Sequence, residues 1–127
     1  MTRRHISSRP LTALQHAILE FLWSQPSATS EEVRAALASR FPLKDSSIRT
    51  LLRRLEKRGY VTHRLEGRVF TYRARVPARS VAAQAVRHII DRFCAGSVEQ
   101  FLIGMVDENV LPLGDLERLA RKVKRSP

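Results

Sequence analysis

Leu14, Ala17, Ile18, Phe21 and Leu22 recur at i, i+3, i+4, i+7 and i+8, one stripe of a helix. The spacing predicts a helix over residues 12–24, with Thr12 placed to cap it and Pro26 to end it. Thr29-Ser30-Glu31-Glu32 has the form of a capping box. A second helix is therefore expected from Thr29, with Val33, Ala36 and Leu37 inward and Pro42 closing it. A third helix is expected over residues 45–58. Ile48, Leu51, Leu52 and Leu55 face inward there, and Gly59 stands where a helix-ending glycine belongs. Then the period changes. Val61, His63 and Leu65 alternate with Thr62 and Arg64, and Phe70 and Tyr72 alternate with Thr71 and Arg73. Two such runs joined at Glu66-Gly67 predict a β-hairpin. Three further helices are expected. Ser80 is placed to cap one with the stripe Ala82, Ala85, Val86, Ile89 and Phe93, stopped by Gly96. Ser97 with Gln100 forms another capping box, opening a helix with Val98, Phe101, Leu102 and Met105 inward. Pro112 is placed to start the last, with Leu116, Leu119, Ala120 and Val123 on one face.

Charge divides this series in two. The 127 residues carry a net charge of +11. Residues 1–79 hold 16 Lys/Arg against 6 Asp/Glu, whereas residues 80–127 hold 7 against 6. A basic domain over 1–79 and a nearly neutral helical domain over 80–127 are expected, with Val76-Pro77-Ala78-Arg79 as a linker. Of the 23 basic residues 19 are Arg, which suits planar recognition of phosphate and guanine, although codon bias in a GC-rich genome would also supply them. No run approaches the ~18 apolar residues of a membrane span, so no membrane insertion is expected. Arg3-Arg4 is followed by no apolar run, so no export signal is expected either, and the expected compartment is the cytoplasm. The single cysteine, Cys94, excludes an internal disulfide framework and a thiolate metal cage, and reads as a small buried residue. His5, His16, His63 and His88 are scattered without metal-ligand spacing, and no nucleophile elbow or phosphate loop is present. No enzyme activity, metal or cofactor is expected.

Three helices followed by a basic hairpin is the order of a winged helix-turn-helix. The expected fold is thus mainly α with a small β-hairpin, an N-terminal winged helix followed by a three-helix dimerisation segment. In that geometry the third helix enters the major groove of double-stranded DNA. Opposite its apolar stripe lie Ser46, Thr50, Arg53, Arg54 and Lys57, flanked by Ser47 and Arg49. Small hydroxyls at the N-terminal turn allow close approach to base edges, and the basic residues beyond it pass phosphates. Arg64 and Arg68 flank the hairpin turn as the tip of a wing, and Arg3, Arg4 and Arg9 are candidates for further phosphate contacts. A basic helix face alone is ordinary solvated surface. Its conjunction with the helix order, the basic wing and the charge asymmetry points to operator DNA. The last three helices, about 14 residues each, are marginal alone. Either they pack back on the winged helix to complete one monomeric core, or they pair with a second chain; the neutral, apolar tail on a basic module favours a homodimer, with Val86, Ile89, Phe93, Phe101, Leu102, Met105, Leu116 and Leu119 at its interface. A ligand-responsive winged-helix regulator and a basic module for acidic protein or RNA are the alternatives.

LTALQHAILEFLW, SSIRTLLRRLEKRGYV and EGRVFTY, with Asp91-Arg92-Phe93 followed by Gly96, resemble the penicillinase repressor family of winged-helix regulators. The resemblance runs from Leu11 to about Val123. It implies a cytoplasmic bacterial repressor that dimerises through its C-terminal helices and binds dyads built on TACA and TGTA. It also implies that Ser47 and Thr50 read bases, with Ser46, Arg49 and Arg54 around them. Some members sense copper through a cysteine-rich tail; Cys94 alone does not supply one. Others are cut between an Asn and a Phe, with a membrane sensor-protease as the implied partner. Gly104 and Met105 occupy that candidate cleavage position here. Mid-helix glycine costs about 1 kcal/mol against alanine. Gly104 is read as a mark of close helix packing, ahead of a helix readily opened to a protease.

Overall fold

The computed structural model describes residues 9–125. Six helices and a small antiparallel sheet follow in the order α1 (Ala13–Trp23), β1 (Ala28–Thr29), α2 (Ser30–Leu37), α3 (Asp45–Lys57), β2 (Val61–Glu66), β3 (Val69–Ala74), α4 (Ala78–Phe93), α5 (Val98–Asp107) and α6 (Leu113–Arg125). The chain divides into two compact units, with the boundary between Ala85 and Val86.

The helix starts follow local chemistry. Thr12 Oγ1 accepts from Gln15 N–H while the Gln15 side chain accepts from Thr12 N–H, a reciprocal box that the sequence reading reduced to a single cap. The predicted box on α2 is complete: Glu32 N–H donates to Thr29 Oγ1 at 3.1 Å, and Thr29 N–H donates to Glu32 Oε1 at 2.8 Å. The end of α3 also matches its prediction. Arg58 caps it and Gly59 follows at φ +92°, a conformation that a side chain disfavours.

The core of the first unit joins all three helices to the base of the sheet. Ile18, Leu19 and Leu22 of α1, Val33 of α2, Ile48, Leu52 and Leu55 of α3, and Val61 of β2 are fully buried. Each contributes about 1.5–3 kcal/mol relative to an exposed side chain. Ala36, expected inward, is exposed; the eight-residue α2 buries only Val33 and Leu37.

Two expectations at the sheet need correction. The hairpin is one part of a three-stranded sheet of order β1-β3-β2, because Ala28 and Thr29 pair with Tyr72 and Thr71. A two-residue strand has no periodicity to detect. The segment Val76–Arg79 is also no linker. Val76 is buried, its carbonyl accepts from Trp23 Nε1–H at 2.9 Å, and α4 begins at Ala78. Pro77 O receives the N–H groups of Ser80 and Val81, so Ser80 lies within the first turn rather than capping it.

The second unit has a different character. From Val86 onward, among the described residues, only Ile90 is buried. Of the predicted α4 stripe, Val86 is half-buried and Ala82, Ala85, Ile89 and Phe93 are exposed, Phe93 at 76%. Cys94 is only half-buried. Ser97 Oγ does accept from Gln100 N–H at the start of α5. Neither α5 nor α6 contributes a buried residue among those described. No helix of the described residues is long and apolar enough to cross a membrane.

Candidate nucleic-acid interface

The third helix owes its aim to its buried side. With Ile48, Leu52 and Leu55 in the core, helical geometry sends Ser46, Thr50, Arg53 and Lys57 along the opposite line, at spacings of four, three and four. The contacts along this line confirm the alignment. Thr50 Oγ1–H donates to Ser46 C=O at 3.0 Å, and Arg53 Nη2 reaches Thr50 Oγ1 at 3.4 Å. Ser46, Arg49, Arg53, Arg54 and Lys57 are exposed, while Ser47 and Thr50 are half-buried at the margin of the helix. The Thr50 hydroxyl is thus folded back on its own helix.

The charges on this face differ in availability. Arg49 pairs with Asp45 at 3.0 Å. Among the described residues Arg53, Arg54 and Lys57 have no carboxylate partner. Arg54 and Lys57 fill the last turn, where cations favour the helix dipole, and Asp45 fills the first. Arg49 is exposed and Asp45 half-buried, so the pair is largely solvent-screened and worth ~0–1 kcal/mol, and a phosphate can compete with the carboxylate for Arg49.

The hairpin stands beside α3 as a wing, and one contact the sequence reading missed ties them together. His63 Nδ1 of β2 lies 2.7 Å from both carboxylate oxygens of Glu56 on α3. An ionised carboxylate only accepts, so the imidazole donates from Nδ1. The ring of His63 also meets Phe70 edge-on at 4.9 Å and lies 5.8 Å from Tyr72. No spacing rule links His63 to Glu56, seven residues earlier in the chain. Burial pushes the Tyr72 phenol above its ordinary pKa, with the Glu56 charge adding to the effect.

Arg64 and Arg68 are exposed on the wing. Arg64 Nε–H donates to Glu66 at 3.2 Å. Arg64 and His63 are successive residues of one strand, so Arg64 points to the sheet face away from Glu56 and α3. The structure therefore groups the α3 residues on one face but does not add Arg64 to it. Leu65 and Phe70, paired across the wing, are 59% and 49% exposed. The hairpin extends beyond the helices that cover its base. Arg9 O accepts from Arg58 Nη2, beside the end of α3, whereas Arg3 and Arg4 lie outside the described residues.

In the second unit, Val86, Phe101, Leu102, Met105 and Leu116 are half-buried, and Ile89, Phe93 and Leu119 are exposed. Gly104 lies within α5, and a Cβ placed on it would meet nothing within 4 Å. Within one chain, no neighbour requires the glycine that the sequence suggested for close packing.

The chain is similar to known proteins. Residues 11–125 match the family model described as penicillinase repressor. The penicillinase repressor of Bacillus licheniformis is 24% identical over 102 residues, spanning 80% of this chain and 80% of that protein. The methicillin resistance regulatory protein MecI of Staphylococcus aureus (strain N315) is 17% identical over 109 residues, spanning 86% of this chain and 89% of MecI. The solution structure of the DNA-binding domain of the repressor BlaI superposes with a TM-score of 0.51 at 26% identity, covering 57% of this chain and 89% of that domain. The family consists of repressors and not enzymes. With its winged-helix unit and a match over nearly its whole length, the chain belongs to the penicillinase repressor family of DNA-binding transcriptional repressors.

Proposed function

We propose that this protein is a homodimeric repressor, acting in the bacterial cytoplasm, that reads a dyad-symmetric operator of the TACA/TGTA type. Ser47 and Thr50 of α3 read base edges, with Ser46 and Arg49 beside them. Arg53, Arg54 and Lys57 hold phosphates, and Arg64 and Arg68 of the wing contact the neighbouring backbone. The observation that carries this reading is the line of exposed Ser46, half-buried Thr50 and exposed Arg53 and Lys57, set opposite a fully buried stripe of the same helix. Small groups stand where a helix must approach bases closely, and cations without carboxylate partners stand where it passes the backbone.

The homodimer reading rests on the second unit. Three helices that bury only Ile90 among their described residues need another surface to cover Ile89, Phe93 and Leu119. A second copy supplies that surface and gives the two-fold symmetry of a dyad. Relief of repression follows from loss of this pairing. The Gly104–Met105 bond is the candidate cut, made by a membrane sensor-protease, since glycine weakens α5 there and meets no neighbour.

Titration of the full chain onto a labelled TACA/TGTA dyad and onto a scrambled duplex, at two salt concentrations, tests the reading. Binding to the dyad tighter by ~10³-fold or more is the expected result, with sedimentation showing two chains per duplex. Equal binding to both duplexes would overturn the operator assignment, and one chain per duplex the dimer.

A further inference from the structure

The outer face of the sheet carries a second cluster of basic and hydroxyl groups, separate from α3. Thr29, Thr71 and Arg64 stand in one row across β1, β3 and β2, because Thr71 is in register with both of the others. Arg73 lies two residues along β3 on the same face. The opposite face carries Val61, His63 and Tyr72 toward the core and α3, so this row is turned away from the base-reading helix. Between the row and the turn after α1, Pro26, Ser27, Arg64, Thr71 and Arg73 line a concavity of about 140 Å³.

Its size and lining select a ligand class. The volume is well above the ~10–15 Å³ that one water needs. It is well below the roughly 300–1,000 Å³ of pockets for drug-sized ligands. No carboxylate lines it. Two arginines and two hydroxyl-bearing residues line it, side chains that supply the donors a tetrahedral oxyanion takes. Arg73 makes no ion pair among the described residues. Arg64 is held from the rim by Glu66, through an exposed pair too weak to compete with an incoming dianion. The Thr71 hydroxyl makes only a long bond, 3.5 Å, to Arg64 C=O, and can be redirected.

We propose that this concavity is a binding site for a single phosphoryl group, gripped by Arg64 and Arg73 and oriented by Ser27 and Thr71. The group comes either from the backbone of a bound duplex or from a free phosphate-bearing small molecule; the chemistry is the same. The proposal does not require operator recognition to be correct.

The test is a two-dimensional amide NMR titration of the full chain with inorganic phosphate, against sodium chloride at matched ionic strength. Wild type and Arg73→Gln are compared, together with their salt dependence of duplex binding. Saturable shifts are expected at the Ser27 and Thr71 amides and at Arg73 Nε–H, and the Ser27 and Thr71 response weakens by about tenfold or more in R73Q. Arg73 is exposed, so the rest of the R73Q spectrum remains that of the wild type. If a bound duplex blocks the phosphate response and R73Q lowers the salt slope by ~0.9 per chain, the backbone is the source. If the duplex leaves the response intact, the source is a free phosphate-bearing molecule. Shifts that are linear, equal to those with chloride, or unchanged in R73Q, together with an unchanged salt slope, would overturn the site. A chain that bound phosphate here but no duplex would reject the operator reading and retain the site.

Discussion

Replacing Arg54 and Lys57 by glutamine removes two of the three exposed α3 cations that have no carboxylate partner among the described residues. Each neutralised backbone phosphate contributes ~0.9 to the slope of log affinity against log salt. Arg53, Arg54 and Lys57 on two chains give a slope of about −5.4 from α3 alone, so a fourfold rise in salt weakens binding by about 10³-fold. The double variant retains about −1.8 of this, so the same rise costs about tenfold. The difference of ~3.6 does not depend on what the wing adds, because the wing is common to both proteins. Fluorescence anisotropy with a labelled dyad duplex, between about 50 and 200 mM salt, measures it directly. Both side chains lie outside the core, so circular dichroism and the fluorescence of the sole tryptophan, Trp23, should match wild type. A variant that loses affinity while keeping its slope within ~1 of wild type would refute the phosphate assignment.

The other predictions concern stability and assembly. Trp23→Phe leaves the Val76 carbonyl without its donor and should destabilise the first unit by ~1–3 kcal/mol in urea unfolding; a change near zero would show that water replaces the bond. Thr29→Ala removes the α2 capping box and should cost about 1 kcal/mol, lowering Tm by a few degrees in calorimetry. Because burial raises the Tyr72 pKa, the folded state holds the phenol proton more tightly than the unfolded state. The stability this provides is complete below the ordinary value of 10.0 and is lost as pH rises from there through the folded pKa; unfolding of Tyr72→Phe should lack that alkaline decline. Phe93→Asp puts a charge at a side chain that is 76% exposed in one chain and should weaken self-association by tenfold or more in sedimentation without lowering the Tm of the first unit.

The elements that could be read from sequence were those whose signal is local. Thr29 and Glu32 form their box through bonds spanning three residues, and Gly59 ends α3 through its own backbone. The exposed face of α3 follows from the buried one, so Ser46, Thr50, Arg53 and Lys57 could be placed from Ile48, Leu52 and Leu55 alone. What escaped was set by distant partners. β1 exists because Tyr72 and Thr71 lie alongside Ala28 and Thr29, more than forty residues earlier in the chain. Val76 looked like a linker because Pro77 follows it; its burial depends on Trp23, 53 residues away. Arg73 alternates with Tyr72 like any surface residue, and only its position against Pro26 and Ser27 gives it a pocket.

The second unit shows the same limit more sharply. Periodicity identifies apolar faces but not the surface that covers each one. In α4, Ile89 and Ile90 are both candidates, yet Ile90 alone is buried by its own chain. Ile89, Phe93, Ile103, Leu113, Leu119 and Val123 remain between 41% and 76% exposed. Covering such side chains contributes ~1.5–3 kcal/mol each at full burial, so from this partial exposure roughly 5–10 kcal/mol per chain is available. The proposed homodimer would cover these faces, while the first unit already has its core closed. On this reasoning the chain should separate its tasks: base reading stays with the first unit, and occupancy of a dyad is governed by how well the second unit pairs.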